Sequence, residues 1–365
     1  MSSKPDIYAN YETLQWLRDN IEFRKGNSAE FWYDYMQSQS GECLPVVYQP
    51  FDSSKRSHIC DRGQILDFAA HAGGGRVLDF GPGDGWPSLP LAPLVDEVIG
   101  VDGSEFRVST CEFNARKLGV ENARFRFLEP GLPLPFGDEE FDLVCAAAAI
   151  EQTPNPDEIL REFLRVLKSG GCLRMHYESL DLYGPRTLCV GHLMDCGVEA
   201  SRFVIFDRHP DMGRADHYGL AFAMPVWELR KHLFGDASDS EIWRFAPADI
   251  SPEALVETTS HMTDAARWST FHPDCRAWID RLLGLGFAAA TPRQNGGDIA
   301  GQWFDMTVDE VRPISIPDTD RVLRPLVEAG VQKVLPADAP DEKVWAPWIT
   351  ATKAEQSTEV PLPEA

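Results

Sequence analysis

Short apolar runs alternate with segments of helical spacing between residues 76 and 178. Apolar runs without polar alternation indicate strands buried on both faces, whereas apolar positions three and four residues apart indicate helices. The pattern predicts five strands, with the sequences RVLDF, DEVIGVD, ARFRFLEP, FDLVCAAAAI and CLRMHYE. Because strands and helices alternate, we expect an α/β fold with a doubly wound parallel sheet that carries helices on both faces.

The same pattern places the helices. Residues 105–120 have helical spacing up to Gly119, and residues 155–171 predict a helix that Asn155 caps and Gly170 ends. Three prolines follow the first strand, and the last of them should shorten the helix there. Two later segments, AAATPR and APWITATKA, predict further strands and give a mostly parallel sheet of seven.

Changes in this alternation of strand-like and helix-like sequence divide the chain into five predicted segments. Aromatic, helical sequence comes before the sheet, and irregular sequence rich in histidine follows the fifth strand as a large insert. Long irregular insertions in compact domains are usually functional. The segments are a helical N-terminal cap (1–60), a Rossmann-like core (61–178), an inserted lid or substrate region (179–272), the rest of the core with a second small insertion (273–353) and a flexible tail (354–365).

Charge narrows the range of partners. The chain has 34 basic and 57 acidic residues and a net charge of −23, which disfavours nucleic acids and anionic membrane surfaces and favours a small molecule. The eight cysteines form no Cys-x-x-Cys pair, and neither a signal peptide nor a membrane-spanning run is present in the sequence. We therefore expect a cytoplasmic protein, and its oligomeric state stays open.

A glycine-rich turn follows the first strand. A dinucleotide site requires Gly-x-Gly-x-x-Gly, but the third glycine position is occupied by Trp86. Gly81, Gly83 and Gly85 form Gly-x-Gly-x-Gly instead, which allows an amino-acid and ribose group to lie against the backbone. Asp102 ends the second strand, where its carboxylate can accept hydrogen bonds from both ribose hydroxyls. A nicotinamide-dependent oxidoreductase is thus disfavoured.

Four motifs in order resemble the class I S-adenosylmethionine-dependent methyltransferases. They are VLDFGPGDG, VIGVDGS, LPFGDEEFDLVCAAAAIEQTPNP and ILREFLRVLKSGGCLRM, within residues 60–178. The resemblance implies the seven-stranded fold of that class and S-adenosylmethionine as cofactor. It also implies the cofactor-binding residues, which are Asp79, Gly81, Gly83 and Asp84 around the methionine portion, Gly85 in the same turn, Asp102 at the ribose, and Gly103 and Ser104 near the adenosine. Pro130 and Gly131 occupy the place where relatives often carry an acidic residue for the adenine amino group, and the substitute is either Glu129 or a backbone carbonyl.

The activity that this implies is methyl transfer to a small-molecule acceptor by in-line displacement. The alternative is a protein of this fold that binds S-adenosylmethionine without transferring the methyl group, either as a scaffold subunit or in a different reaction. An enclosing insert and cap favour a small acceptor over an open groove for a macromolecule. The identity of the acceptor atom stays open, because the same core serves oxygen, nitrogen, sulfur and carbon nucleophiles.

Candidates for catalysis come from two places. Glu151 follows the fourth strand, and His176 and Tyr177 leave the fifth strand at the same edge. His209 and His217 lie in the insert among aspartates whose spacing matches no defined metal site, so no metal is expected. The alternative for these histidines is hydrogen bonding and ion pairing that orders a lid. Glu151 has three possible roles, which are to place the methionine ammonium group, to accept a proton from the substrate, or only to cap the next turn.

Overall fold

The computed structural model describes residues 12–35, 51–180, 183, 188–235, 243–307, 315–337 and 348–355. Their strands are β1 (Arg24–Lys25), β2 (Arg76–Phe80), β3 (Glu97–Asp102), β4 (Ala123–Phe127), β5 (Phe141–Ala147), β6 (Leu167–His176), β7 (Cys189–Asp195), β8 (Ser201–His209), β9 (Arg214–Phe222), β10 (Arg244–Phe245), β11 (Met262–Phe271), β12 (Ala289–Arg293) and β13 (Trp348–Thr352).

The helices of these residues are named in chain order. They are α1 (Glu12–Asn20), α2 (Ser28–Phe31), α3 (Arg56–Ala72), α4 (Ser88–Leu91), α5 (Glu105–Leu118), α6 (Pro156–Val166), α7 (Val226–Phe234), α8 (Pro252–Thr259), α9 (Cys275–Leu285), α10 (Gly296–Met306) and α11 (Ile316–Gly330). None of them is both long and apolar enough to cross a lipid bilayer.

A seven-stranded sheet confirms the predicted α/β fold. Its strand order is β12-β13-β6-β5-β2-β3-β4, and only β13 pairs antiparallel with its neighbours β6 and β12. The chain passes from β2 outward to β3 and β4, and then returns to the other side of β2 with β5. This reversal opens a crevice beyond the carboxyl ends of β2 and β5, where ligands bind in doubly wound sheets.

Apolar side chains fill both faces of this sheet. Phe163 of α6 and Trp278 of α9 pack in the cluster on one face, whereas Phe68 of α3 and Cys111 of α5 pack in the cluster on the other. Burial on both faces explains why the central strands read as continuous apolar runs. It also leaves their carboxyl ends as the place where polar side chains can reach a ligand.

The end of α6 and the place of Gly170 differ from the prediction, whereas the short helix after β2 agrees with it. The helix expected to run to Gly170 ends at Val166, because Leu167 adopts an extended conformation and begins β6. Gly170, at φ 75°, instead lies where the pairing of β5 with β6 changes register. The helix after β2 is short as predicted, since α4 gives way to a 3₁₀ turn that contains Pro93.

The chain divides into two compact units. One contains the described residues of Met1–Cys43 and Ser179–His272, and the other those of Leu44–Glu178 and Pro273–Ala365. Helix α3 therefore belongs with the seven-stranded sheet, although the sequence pattern drew the boundary after residue 60. The assignment of a cap and a lid stays a prediction.

The prediction of an irregular insert is wrong in one respect, since the described residues of 179–272 contain most of a second sheet. Its strand order is β1-β11-β9-β8-β7-β10, and the residues expected to form a loop around His209 are the hairpin of β8 and β9. Leu17 of α1 packs with Phe203 and Tyr218 on one face, and Phe31 of α2 packs with Trp268 on the other. Covered faces remove the polar alternation that would reveal strands.

Candidate active site

Three glycines with positive φ form the turn after β2. Gly81, Gly83 and Gly85 have φ angles of 77°, 56° and 107°, in the region that favours glycine. A Cβ at Gly81 would lie 2.5 Å from the Cβ of Ala149, whereas a Cβ at Gly83 would have no atom within 4 Å. The turn is therefore packed against the segment after β5 at its first glycine and faces open space at its second.

Asp102 lies beside this turn, at the end of β3. Its Oδ2 accepts a hydrogen bond from the Gly83 N–H at 3.3 Å, and its Oδ1 accepts one from the Ser104 N–H at 3.0 Å. A carboxylate oxygen can accept more than one hydrogen bond. The Leu128 N–H donates to the Asp102 carbonyl oxygen at 2.9 Å, so the segment that contains the exposed Glu129 follows directly beside Asp102.

Side chains of helix α5 bind the glycine turn through an ion pair and hydrogen bonds. The sequence analysis did not predict this role of α5. Arg107 forms an ion pair with Asp84, and the Asn114 side-chain amide donates to the Asp84 carbonyl oxygen at 2.8 Å. The Cys111 thiol donates to the Gly83 carbonyl oxygen at 3.2 Å. The signal was a helix face of polar residues at spacings of four and three, all of which are buried.

Helix α5 also begins at the site. The buried Ser104 is its N-cap, and the Ser104 hydroxyl accepts a hydrogen bond from the Arg107 N–H at 3.1 Å. Gly103 lies between Asp102 and this cap and is partly exposed. The residues predicted to contact the adenosine thus form the connection from β3 to α5, at the carboxyl edge of the sheet.

Asp79 lies beneath the turn and is 1% exposed. One oxygen accepts a hydrogen bond from the Ser88 hydroxyl at 2.6 Å. Burial raises the pKa of Asp79 to about 7, against the opposing effect of hydrogen bonds from Ser88 and the Cys145 thiol. The carboxyl group therefore supports the turn through α4, and its predicted contact with the methionine portion stays a prediction.

Glu151 lies in a 3₁₀ turn after β5 and is 1% exposed. Its Oε1 accepts a hydrogen bond from the Glu178 N–H at 2.8 Å, while its Oε2 is buried without a hydrogen-bond partner. Burial raises the pKa of Glu151 to about 8. A protonated carboxylic acid with one unused oxygen is therefore held at the carboxyl ends of β5 and β6.

His176 ends β6, and Tyr177, the next residue, has different surroundings. The His176 ring lies 5.3 Å from the Trp348 ring, centroid to centroid, and burial lowers the pKa of His176. Tyr177 is 2% exposed and packs in the core, where burial raises the pKa of its phenol. Tyr177 is thus surrounded by protein, and His176 is the more exposed of the two.

His209 and His217 belong to the other compact unit, on opposite faces of its sheet. His209 pairs with Asp207, with Nε2 and Oδ2 3.3 Å apart, and this hydrogen bond raises the pKa of His209. His217 stacks on Trp268 and is hydrogen-bonded to Thr270 at 2.8 Å; burial lowers its pKa to about 3. In both cases the contacts of the histidine stabilise the sheet. A catalytic role for either histidine stays a prediction.

A search of the described parts of the chain for metal ligands finds no group of three or more His, Cys, Asp or Glu residues that could hold a metal ion. Asp207, His209 and Asp216 are instead joined in ion pairs with each other and with arginines. Asp216, for example, pairs with Arg214 at 2.6 Å and with Arg267 at 3.4 Å.

Residues 71–195 match a family model described as a methyltransferase domain. This part of the chain is a class I S-adenosylmethionine-dependent methyltransferase domain. The match covers the glycine turn, Asp102, Glu151 and the strands that hold them, and the seven-stranded sheet is the one expected of this class. The cofactor of such a methyltransferase domain is S-adenosylmethionine.

Two curated relatives illustrate the likeness. The uncharacterized methyltransferase YcgJ of Bacillus subtilis is 34% identical over 125 residues, which is 34% of this chain and 47% of the relative. The 27-O-demethylrifamycin SV methyltransferase of Amycolatopsis mediterranei is 31% identical over 153 residues, 41% of this chain and 56% of the relative. The chain thus spans about half the length of the curated relatives that it matches.

A solved structure with broader coverage is the CcbJ methyltransferase of Streptomyces caelestis. It covers 89% of this chain and 99% of its own, at 12% identity and a TM-score of 0.45.

The methyltransferase domain has the features that its cofactor requires. Open space at Gly83 leaves room for a ligand against the backbone. Asp102 ends the neighbouring strand β3 beside the turn, and Ser104 caps a helix of fourteen residues that begins at the same edge of the sheet. These residues would hold the amino-acid and ribose parts of S-adenosylmethionine.

Replacing Asp102 with alanine should weaken S-adenosylmethionine binding about tenfold to a hundredfold. The ribose hydroxyls lose charge-assisted acceptors worth about 1.5 to 3 kcal/mol, and the Gly83 N–H loses its partner. Isothermal titration calorimetry measures the change. Glu105→Ala, which removes an exposed carboxylate three residues away, is the control and should leave the affinity unchanged. An unchanged affinity in a folded Asp102→Ala variant would exclude the ribose role.

Proposed function

We propose that the protein transfers the methyl group of S-adenosylmethionine to a small-molecule acceptor. The observation that carries this proposal is the glycine turn at the reversal between β2 and β5, with Asp102 hydrogen-bonded to Gly83 beside it. The matching family model supports it, because residues 71–195 include every residue of this arrangement.

The cofactor supplies a methyl group bonded to a positively charged sulfur. An acceptor can attack that methyl group in line with the carbon–sulfur bond and displace the sulfur. The chain's contribution is then to position the reactants and exclude water. Gly83 allows the ligand to approach the backbone, and Asp102 orients the ribose. Glu151 is a protonated acid below its raised pKa, so it can accept an acceptor's proton only after it has ionised.

A small acceptor is favoured over a macromolecule by charge and by the relatives. The net charge of −23 opposes binding of nucleic acid. The printed names of relatives refer to arsenite and to 27-O-demethylrifamycin SV, both small molecules. The residues of 179–272 are the segment that we assign to acceptor binding, and we place the protein in the cytoplasm.

Calorimetry with S-adenosylmethionine, S-adenosylhomocysteine and NAD tests the first half of this proposal. We expect the first two to bind and NAD to give no heat. A screen of metabolites with methyl-labelled S-adenosylmethionine then tests transfer. Cofactor binding without label transfer to any acceptor would favour the alternative of a binding protein without methyl transfer, and binding of NAD alone would exclude both.

Replacing His209 or His217 with alanine should lower acceptor affinity or turnover about tenfold. Loss of one hydrogen bond to a bound acceptor has a cost of this size, and both residues lie in the segment assigned to the acceptor. The affinity for S-adenosylmethionine should change less than about twofold. The exposed His261 of the same unit is the control. A parallel fall in cofactor affinity would place the two histidines in cofactor binding instead.

A further inference from the structure

The buried carboxyl group of Glu151 has an oxygen with nothing to bind. Oε1 accepts a hydrogen bond from the Glu178 N–H at 2.8 Å, but Oε2 has no hydrogen-bond partner although it is inaccessible to solvent. Unpaired buried oxygens cost free energy. They persist where a ligand or a protonation change satisfies them, so Glu151 is a candidate for either role.

The surroundings of Glu151 contain no compensating positive charge. In the described residues, no Lys, Arg or His forms an ion pair with it. The titratable groups that face it are Glu178, whose negative charge further raises the pKa of Glu151, and Tyr177, which in turn interacts with Cys275 and Asp274. Burial raises the pKa of Glu151 to about 8, and because these neighbours are neutral or negative none of them offsets the effect, so the acid is protonated at pH 7.

The position of Glu151 connects it to the glycine turn. Two residues before it, Ala149 contacts the turn so closely that a Cβ at Gly81 would lie 2.5 Å from the Ala149 Cβ. Ala148 has a φ of 53°, a conformation that an L-residue adopts at a cost, and its N–H donates to the His176 carbonyl oxygen at 2.9 Å. The backbone between β5 and Glu151 is thus held on both sides.

We propose that Glu151 releases its proton when S-adenosylmethionine binds and becomes the counter-ion of the cofactor's positive charge. This inference rests on the proposed function. The proton passes to the solvent, and the neutral acid with its cationic ligand becomes a carboxylate beside that ligand. An opposite charge nearby favours ionisation, and the orphaned Oε2 receives a partner at the same time. S-adenosylhomocysteine carries no sulfonium charge, so it should displace less of the proton.

Calorimetric titrations of S-adenosylmethionine at pH 7, in phosphate and in Tris, measure the protons released, because the two buffers differ in ionisation enthalpy. We expect release of most of one proton per site, because Glu151 with a pKa of about 8 is largely protonated at pH 7. Proton release should decrease above pH 8, because Glu151 is then already ionised in the protein without cofactor. With S-adenosylhomocysteine we expect less than about half of the release seen with the cofactor.

Two variants test whether Glu151 is the group that releases the proton. Glu151→Gln should bind S-adenosylmethionine without proton release, since an amide does not ionise. Asp61→Asn is the control, because Asp61 of α3 is a partly buried carboxyl group whose pKa burial raises to about 6; proton release should persist in this variant. Proton release that survives in a Glu151→Gln variant that still binds the cofactor would overturn the inference.

The remaining outcomes separate this inference from the function on which it rests. Cofactor binding without proton release, or with equal release for S-adenosylhomocysteine, would overturn the counter-ion role and leave the proposed function intact. If the wild-type protein does not bind S-adenosylmethionine at all, the proposed function fails and the inference fails with it.

Discussion

Gly83→Val should reduce the affinity for S-adenosylmethionine by more than about a hundredfold, or about 2.7 kcal/mol. The space around a Cβ at Gly83 is empty in the free protein, so a valine side chain would point into the volume where the cofactor approaches the backbone. Overpacking of this kind costs about 1 to 3 kcal/mol. Displacement of the Gly83 N–H from Asp102 would add to that loss. Calorimetry on the folded variant measures the change in affinity.

The control must separate loss of the ligand's space from backbone strain. Gly73, at the end of α3, has a φ of 57° beside 56° for Gly83, and a Cβ there also has no atom within 4 Å. Gly73→Val should therefore suffer the same strain, about 1 to 2 kcal/mol of stability, but keep its cofactor affinity. If both variants lost stability and affinity equally, Gly83 would be needed only for the shape of the turn.

The sheet of the methyltransferase domain could be predicted because its strands are buried on both faces. A continuous apolar run such as that of β5 has no other stable position in an α/β protein, and Asp102 at the end of β3 could be placed at the ligand edge from sequence position alone. Strand β13 was also predicted, although it follows an insertion. The end of α6 was not, because Leu167 is as apolar as the helix face before it.

The second sheet and the contacts behind the site could not be predicted, for physical reasons. In β9 both faces are covered, and aromatic, acidic and small residues alternate without an apolar period. The ion pair of Arg107 with Asp84 joins residues from a helix and a loop 23 positions apart, a relation that no local pattern contains. Burial of Tyr177 likewise depends on the packing of α9, whereas chain position alone suggested the ligand edge.

Arg174→Met should lower the free energy of unfolding by about 3 to 5 kcal/mol, the range measured when one partner of a buried ion pair is removed. Arg174 and Asp67 are both 0% exposed, and two hydrogen bonds of 2.7 and 3.1 Å join them. Burial opposes ionisation of Asp67, but the charge of Arg174 and the contact with His71 outweigh it and lower the pKa of Asp67 to about 2. The methionine variant would leave this carboxylate buried without its cation.

Urea unfolding followed by tryptophan fluorescence measures the loss, since the Arg174 guanidinium lies 5.2 Å from the centre of the Trp348 ring. The double variant with Asp67→Leu should recover most of the lost stability, because both charges are then absent. Arg56→Met removes one partner of an exposed pair with Asp305 and should cost less than about 1 kcal/mol. Equal losses for Arg174→Met and Arg56→Met would show that the buried pair is not what connects α3 to β6.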